Sequence, residues 1–207
     1  FKFANSKFIN IENINIWCQR LSYVGELGYE LYVKIPDAKN IYEKIIKKGK
    51  KFNLSNCGMH ALDTMRMESG FLHWGHDISP EENQYQAKLA FTISKKKQIN
   101  FIGKKALENI NNKENKRFAM FILTNNEPGK PLLLHDEPIY LDDKIIGRTT
   151  SGNYSFNYSK NLSYGYINTN FSDEELVSKN LFIEVEKQKY RAKVLLKPLK
   201  ESNHKNI

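Results

Sequence analysis

The stretch Arg20-Leu21-Ser22-Tyr23-Val24-Gly25-Glu26-Leu27-Gly28-Tyr29-Glu30 decides how the chain is read. Two β-like runs, Ile16 to Tyr23 and Glu30 to Ile35, flank a turn carrying Gly25 and Gly28. In the second run Leu31, Val33 and Ile35 point one way, and Glu30, Tyr32 and Lys34 the other. Glu30 therefore lies off the main hydrophobic face. Tyr23 enters the turn and Glu30 leaves it, so a hairpin can bring a flat ring and a hydrogen-bond acceptor to one pocket. That pair suits a flat heterocycle with N–H donors along one edge, such as a pterin.

Working outward, Pro36-Asp37 opens a helix. Proline is tolerated at a helix start, and Asp37 caps it or favours its positive end. Ala38, Ile41, Tyr42, Ile45 and Ile46 form the apolar stripe. Lys47, Lys48 and Lys50 suit the C-terminal end, and Gly49 helps to stop it. A second helix runs from about Gly58 to Glu68, with Met59 and Leu62, and after them Met65 and Met67, facing inward, and Ser69-Gly70 ends it. Phe71 to Glu82 reads as irregular, Ala87 to Ile93 as a short strand, and Phe101 to Leu107 as the start of a short helix. Asn109 to Lys116 is polar and aperiodic, the best boundary. Beyond it, short β-like runs recur with turn signals between them, at Phe118–Leu123, Pro138–Leu141, Lys144–Thr149, Ser163–Ile167, Leu181–Val185 and Tyr190–Leu196. Asp142-Asp143 makes a tight hairpin turn. The fold class expected is α+β: part of a ferredoxin-like antiparallel sheet with helices in residues 1–110, then a small C-terminal β-barrel in 117–199 and a frayed tail in 200–207.

The 207 residues are 40% hydrophobic and 12% aromatic, enough for a real core. No apolar run approaches the ~20 residues that span a bilayer. The net charge of +9 invites a nucleic-acid reading, but the lysines are scattered and the longest basic run, Lys95-Lys96-Lys97, is short. A solvated surface is favoured, with an acidic small-molecule partner second. Cys18 and Cys57 have no metal or disulfide spacing, so a reducing, cytoplasm-like compartment is the default. The chain begins at Phe1 and reads as a piece of a longer protein or one trimmed at its front.

Five blocks carry a resemblance. Tyr23-Val24-Gly25-Glu26-Leu27-Gly28-Tyr29-Glu30 resembles the folate-binding motif of the aminomethyltransferase (glycine cleavage T-protein) superfamily. Gly58 to Gly70 resembles its "G-x-x-A-x-x-S-L-R-L-E-x-G" helix, and Trp74-Gly75-His76-Asp77 its "W-G-x-D" loop. Phe101-Ile102-Gly103-Lys104 resembles "F-I-G-R/K", and Gly147-Arg148-Thr149-Thr150-Ser151-Gly152 the "G-x-x-T-S-G" turn. Where the T-protein has a folate-contacting arginine in that helix, this chain has Leu62. The resemblance therefore moves toward the folate domains of dimethylglycine and sarcosine dehydrogenases.

The resemblance implies a tetrahydrofolate-dependent transferase. It would pass an aminomethyl or methylene unit from a methylated amine such as glycine, sarcosine or dimethylglycine, giving 5,10-methylenetetrahydrofolate. Residues 1–110 would be the closing part of the folate-binding domain. Glu30 would accept hydrogen bonds from the pterin edge, and Tyr23 would lie beside the cofactor. For Arg66 two readings stand side by side: a bidentate contact with the folate glutamate tail, or an ion pair with Asp63 three residues back. The assisting aspartate of the family belongs to a segment upstream of the present Phe1, so no catalytic acid or base is assigned. A missing N-terminal lobe or an upstream flavoprotein is the implied partner. The alternatives are a folate-binding accessory protein of the iron–sulfur assembly type, whose hairpin cysteine is absent from Leu21 to Leu27, and a folate-dependent demethylase. His73, His76 and Asp77 suggest a metal cluster less well than a structural loop with Trp74 packed and Asp77 bonding backbone amides. Cys57 reads as a buried thiol.

Overall fold

The computed structural model describes residues 1–94, 99–110, 115–124 and 126–200. The chain is α+β and divides into two compact units, Phe1–Phe71 with Lys200, and Leu72–Leu199. The Lys95–Lys97 run, residues 111–114 of the expected boundary and the tail beyond Lys200 lie outside the described residues.

The first unit holds a three-stranded antiparallel sheet, β1 (Ser6–Ile11), β2 (Ile14–Gln19) and β3 (Glu30–Tyr32). β1 is an addition to the sequence reading. It pairs with β2 through the two-residue turn Glu12-Asn13, both in the left-handed region as a tight hairpin requires. Both expected hairpin runs are present but shorter. Helix α1 (Ile35–Gly49) takes over at Ile35, because Pro36 fixes a helical φ at its first turn. Asp37 sits inside that turn rather than capping it; the cap position is Lys34. The α-helix does end at Gly49, although that glycine keeps a right-handed φ of −72°. The chain continues as a 3-10 turn, Lys50–Phe52, and Asn53 ends it at φ 56°. Of the expected stripe, Ile41 is buried, while Ala38 and Tyr42 are exposed.

Helix α2 (Met59–Glu68) departs further from expectation. Its buried residues are Thr64, Arg66, Met67 and Glu68, while Met59 is 71% exposed. Met67 is buried as expected, but the rest of the inward face is polar, which apolar periodicity does not register.

In the second unit the expected strand at Ala87–Ile93 is absent. Asn83 Oδ1 accepts the amides of Tyr85 and Gln86 at 3.0 Å each, and Lys88 has φ 57°. These local bonds turn the chain, and a 3-10 segment, Ala90–Thr92, follows. A short helix, α3 (Lys104–Asn109), stands where one was expected.

β4 (Lys116–Leu123), β5 (Pro138–Leu141), β6 (Lys144–Ser155), β7 (Lys160–Asn168), β8 (Leu181–Val185) and β9 (Gln188–Leu195) form a closed antiparallel barrel in the order β4-β7-β6-β5-β8-β9. Closure runs through β4 and β9, where Phe121 faces Val194. Inward positions fill the core with Ala119, Phe121, Ile139, Ile167, Leu181, Ile183 and Ala192. The Asp142-Asp143 turn joins β5 to β6 as expected. Gly147 must be glycine, since a Cβ there would lie 1.9 Å from the Tyr166 carbonyl. A five-residue helix, α4 (Asp173–Val177), has no counterpart in the sequence reading; it packs along β9 and buries Leu176. Among the described residues no helix is long and apolar enough to cross a membrane.

Candidate functional site

The hairpin that opened the sequence reading is real. β2 and β3 pair antiparallel, with Gln19 opposite Glu30, Cys18 opposite Leu31 and Trp17 opposite Tyr32. The ten residues between them form a folded loop. Ser22 Oγ accepts the amides of Val24 at 3.4 Å and Glu26 at 3.2 Å. Gly25 has φ +69°, and a Cβ on it would come within 2.2 Å of Ser69 Oγ. That hydroxyl donates to the Val24 carbonyl at 3.2 Å. The loop is thus seated on the C-terminal end of α2, and no larger residue fits at the point of contact. Lys200 adds a second anchor, its amide donating to Glu68 O at 2.9 Å and its ammonium pairing with Glu26.

On this frame Glu30 is exposed, and Tyr32 donates its phenol proton to Glu30 Oε2 at 2.8 Å. The carboxylate, through that hydrogen bond and then through its charge, holds the Tyr32 phenol above its ordinary value. Pairing register puts Trp17 and Phe8 on the same sheet face, their rings 4.8 Å apart at 63°. Glu30 therefore stands beside a strip of aromatic side chains, Tyr32, Trp17 and Phe8. Sequence alternation had placed Tyr32 on this face without giving it a role. Phe8 was out of reach, because β1 was not anticipated.

Tyr23 is half-buried, and its ring lies nearly parallel to Phe71, 13° between planes and 6.2 Å between centroids. Arg66 is 1% exposed. Its Nε and Nη2 each lie 2.7 Å from Asp63 Oδ1, and Nη1 donates to Phe71 O at 3.2 Å. Of the two readings of Arg66, these contacts are those of the ion pair. Arg20, which sequence reasoning passed over, donates from Nη1 to Phe1 O at 2.7 Å.

In the second unit Asp77 joins two motif blocks that are far apart in sequence. It is 1% exposed; Oδ2 accepts the His73 amide at 2.9 Å, and Oδ1 accepts Thr150 Oγ1 at 2.5 Å and Ser151 Oγ at 2.8 Å. The loop expected around Asp77 is there, but Trp74 is 65% exposed rather than packed. Gly75, at φ +90°, turns the chain so that amides rather than the indole face Asp77. His73 and His76 stack at 4.5 Å, and no group of three metal-ligating side chains suited to an ion occurs among the described residues. Cys57 is exposed, against the buried thiol expected, since it precedes α2 in an extended segment; Cys18 is buried, and both are free thiols.

Close by, Glu82 accepts from Lys116 Nζ at 2.7 Å, Ser79 N at 2.9 Å and Ser79 Oγ at 2.7 Å. Burial alone would raise its pKa, but the Lys116 and Ser79 hydrogen bonds outweigh that and lower it. Burial, reinforced by Glu82 and Asp77, pushes the Tyr166 phenol well above its ordinary value.

Residues 1–97 match the family model described as the GCVT N-terminal domain, and residues 116–200 that of the glycine cleavage T-protein C-terminal barrel domain. Mitochondrial dimethylglycine dehydrogenase of Mus musculus is 32% identical over 199 residues, 96% of this chain and 22% of that protein. Mitochondrial sarcosine dehydrogenase of Homo sapiens is 30% identical over 168 residues, 81% of this chain and 18% of that protein. An aminomethyltransferase of Symbiobacterium thermophilum is 27% identical across 98% of this chain and 53% of its own length. The crystal structure of glycine cleavage system aminomethyltransferase T from Bartonella henselae shares the fold, with a TM-score of 0.81 at 21% identity over 98% of this chain and 54% of that one. The chain thus spans between about a fifth and about half the length of these relatives.

Proposed function

Because this chain belongs to the glycine cleavage T-protein superfamily, we propose that its β2–β3 hairpin binds the pterin of tetrahydrofolate for one-carbon transfer from a small methylated amine. The observation that carries the reading is Glu30. Its carboxylate is exposed on an aromatic sheet face and gives one hydrogen bond's worth of capacity to Tyr32, so Oε1 and part of Oε2 stay available as acceptors. An ionised carboxylate meets two adjacent N–H groups in parallel, and such charge-assisted bonds are about twice as strong as neutral ones. Tyr32 fixes the carboxylate orientation in advance, which reduces the ordering cost on binding. Tyr23, backed by Phe71, offers a second flat surface. Arg66 serves through Asp63, holding the C-terminal end of α2 that supports the loop.

When bound, tetrahydrofolate supplies the nitrogen nucleophile that accepts the one-carbon unit. This chain's part is to hold the ring and to keep water from it. The acid–base group and the amine site belong, in this reading, to a preceding lobe or an upstream flavoprotein, in keeping with the greater length of the relatives. Two free thiols fit a reducing, cytoplasm-like compartment.

Titration of the purified chain with tetrahydrofolate, followed by intrinsic fluorescence, tests the site. Glu30→Ala is expected to weaken binding about tenfold or more, the worth of one charge-assisted pair. Equal affinity of Glu30→Ala and parent would remove Glu30 from the site.

A further inference from the structure

We propose that the outer surface of the barrel carries a binding site for a small oxyanion, a phosphoryl or carboxylate group, at Lys160 and Lys193. The cavity there measures about 310 Å³ and lies between the end of β4, the start of β7 and β9. Ile122 on β4 pairs with Leu162 of β7 on one side and Lys193 of β9 on the other, so the site sits on three adjacent strands of a closed sheet. Lys193 falls between the inward-facing Ala192 and Val194, which points its side chain out of the barrel.

Three observations point to an anion. Both lysines line the cavity, and neither has a hydrogen-bond or ion-pair partner among the described residues, although many other lysines here are paired. Among the described residues the lining contains no Asp or Glu, and it adds Ser159 and Tyr154 hydroxyls as further donors. The wall is built rather than incidental. Asn161, 4% exposed, accepts the Gly129 amide at 2.9 Å and donates to Glu127 O at 3.1 Å, and Asn126 Nδ2 donates to Glu127 O and Lys130 O at 3.0 Å each.

The neighbouring cavity, about 490 Å³, makes the contrast. Glu127 and Glu186 line it, and its lysine, Lys130, is paired with Glu127 at 3.3 Å. The lining there is acidic on balance, two carboxylates against one ammonium; at Lys160 and Lys193 two ammonium groups stand without a carboxylate. A volume near 310 Å³ lies at the small end of ligand cavities, which favours a compact anion over a long polyanion. The site is separate from the pterin reading and survives its failure.

The test is a titration of the whole chain, isotope-labelled, with inorganic phosphate, citrate and chloride at matched ionic strength, read by amide chemical shifts. Saturable shifts confined to β7, β9 and residues 126–130 are expected, with the tighter of phosphate and citrate identifying the anionic group. Lys160→Gln and Lys193→Gln should each weaken binding about fivefold or more, and the double variant should abolish it. The double Lys→Arg variant should keep it, and Lys144→Gln on the β5–β6 hairpin should leave it unchanged. Shifts no larger than those with chloride, or a double Gln variant that binds as the parent does, would overturn the proposal.

Discussion

Arg66 shows what a single residue can hide. Its guanidinium is among the largest fully buried side chains, and its charge is met by Asp63. Removing a partner of a buried cation costs far more than losing a surface pair. Asp63 is itself about one-third exposed, so part of that cost is relieved by solvent. Asp63→Ala is expected to destabilise the chain by about 2–4 kcal/mol in urea unfolding, while Asp63→Glu recovers part of the loss. A change below about 0.5 kcal/mol would mean that the pair does not hold α2. The i,i+3 spacing made this pair readable before any coordinates. Its burial was not, because Arg66 is polar and the pattern of α2 was judged by its methionines. The position of Glu30 at the exit of the turn was legible from the turn and its glycines. Tyr32's hydrogen bond to Glu30 joins neighbours on one face of β3, and alternation gave the shared face but not the contact.

Among the elements, the barrel strands were the most legible and the short helices the least. Alternation and turn residues marked six β-like runs, and all six are strands. β6 extends further than its run because it continues past a register shift between Thr149 and Ser151, which interrupts the period of two. α4 is too short to show a helical period, yet it carries a reciprocal cap. Ser172 Oγ accepts the Glu175 amide at 3.2 Å, and Glu175 Oε2 accepts the Ser172 amide at 2.7 Å. The S-x-x-E signature was present at residues 172–175 and was the signal to find it. Ser172→Ala should cost about 1 kcal/mol, with amide exchange accelerated first at Glu175 and Leu176. Unchanged exchange at those amides would show that the cap contributes nothing. β1 escaped notice for a different reason: Phe8 lies on one face while Lys7 shares the other with Ile9 and Ile11, which blurs the alternation.

For the molecule as a whole, a net charge of +9 leaves basic side chains in excess of carboxylates. Glu82 is lowered below 4.5 by Lys116 and Ser79 against the opposing effect of burial, and Asp136 below 3.8, chiefly by its hydrogen bond from His135 and then by Arg148. A carboxylate depressed on folding adds stability that is complete above its unfolded value and disappears as pH drops through the folded one. The chain should therefore lose stability on acidification from about pH 5 to about pH 3. Glu82→Gln should be less stable near neutrality by about 1 kcal/mol and should show a shallower acid decline in thermal midpoint. An identical pH profile for Glu82→Gln would assign the decline to other groups. The Asp77 bonds have a bearing on where the barrel can be separated from the rest. A fragment starting at residue 116, where the matched barrel domain begins, would retain six strands but deprive Thr150 and Ser151 of their acceptor. It would also strip the Phe118 amide of the Gln86 carbonyl it reaches at 2.7 Å. The compact unit that holds the barrel begins at Leu72, and Asp77, Glu82 and Gln86, all ahead of the first barrel strand, bond directly to it rather than serving as a tether.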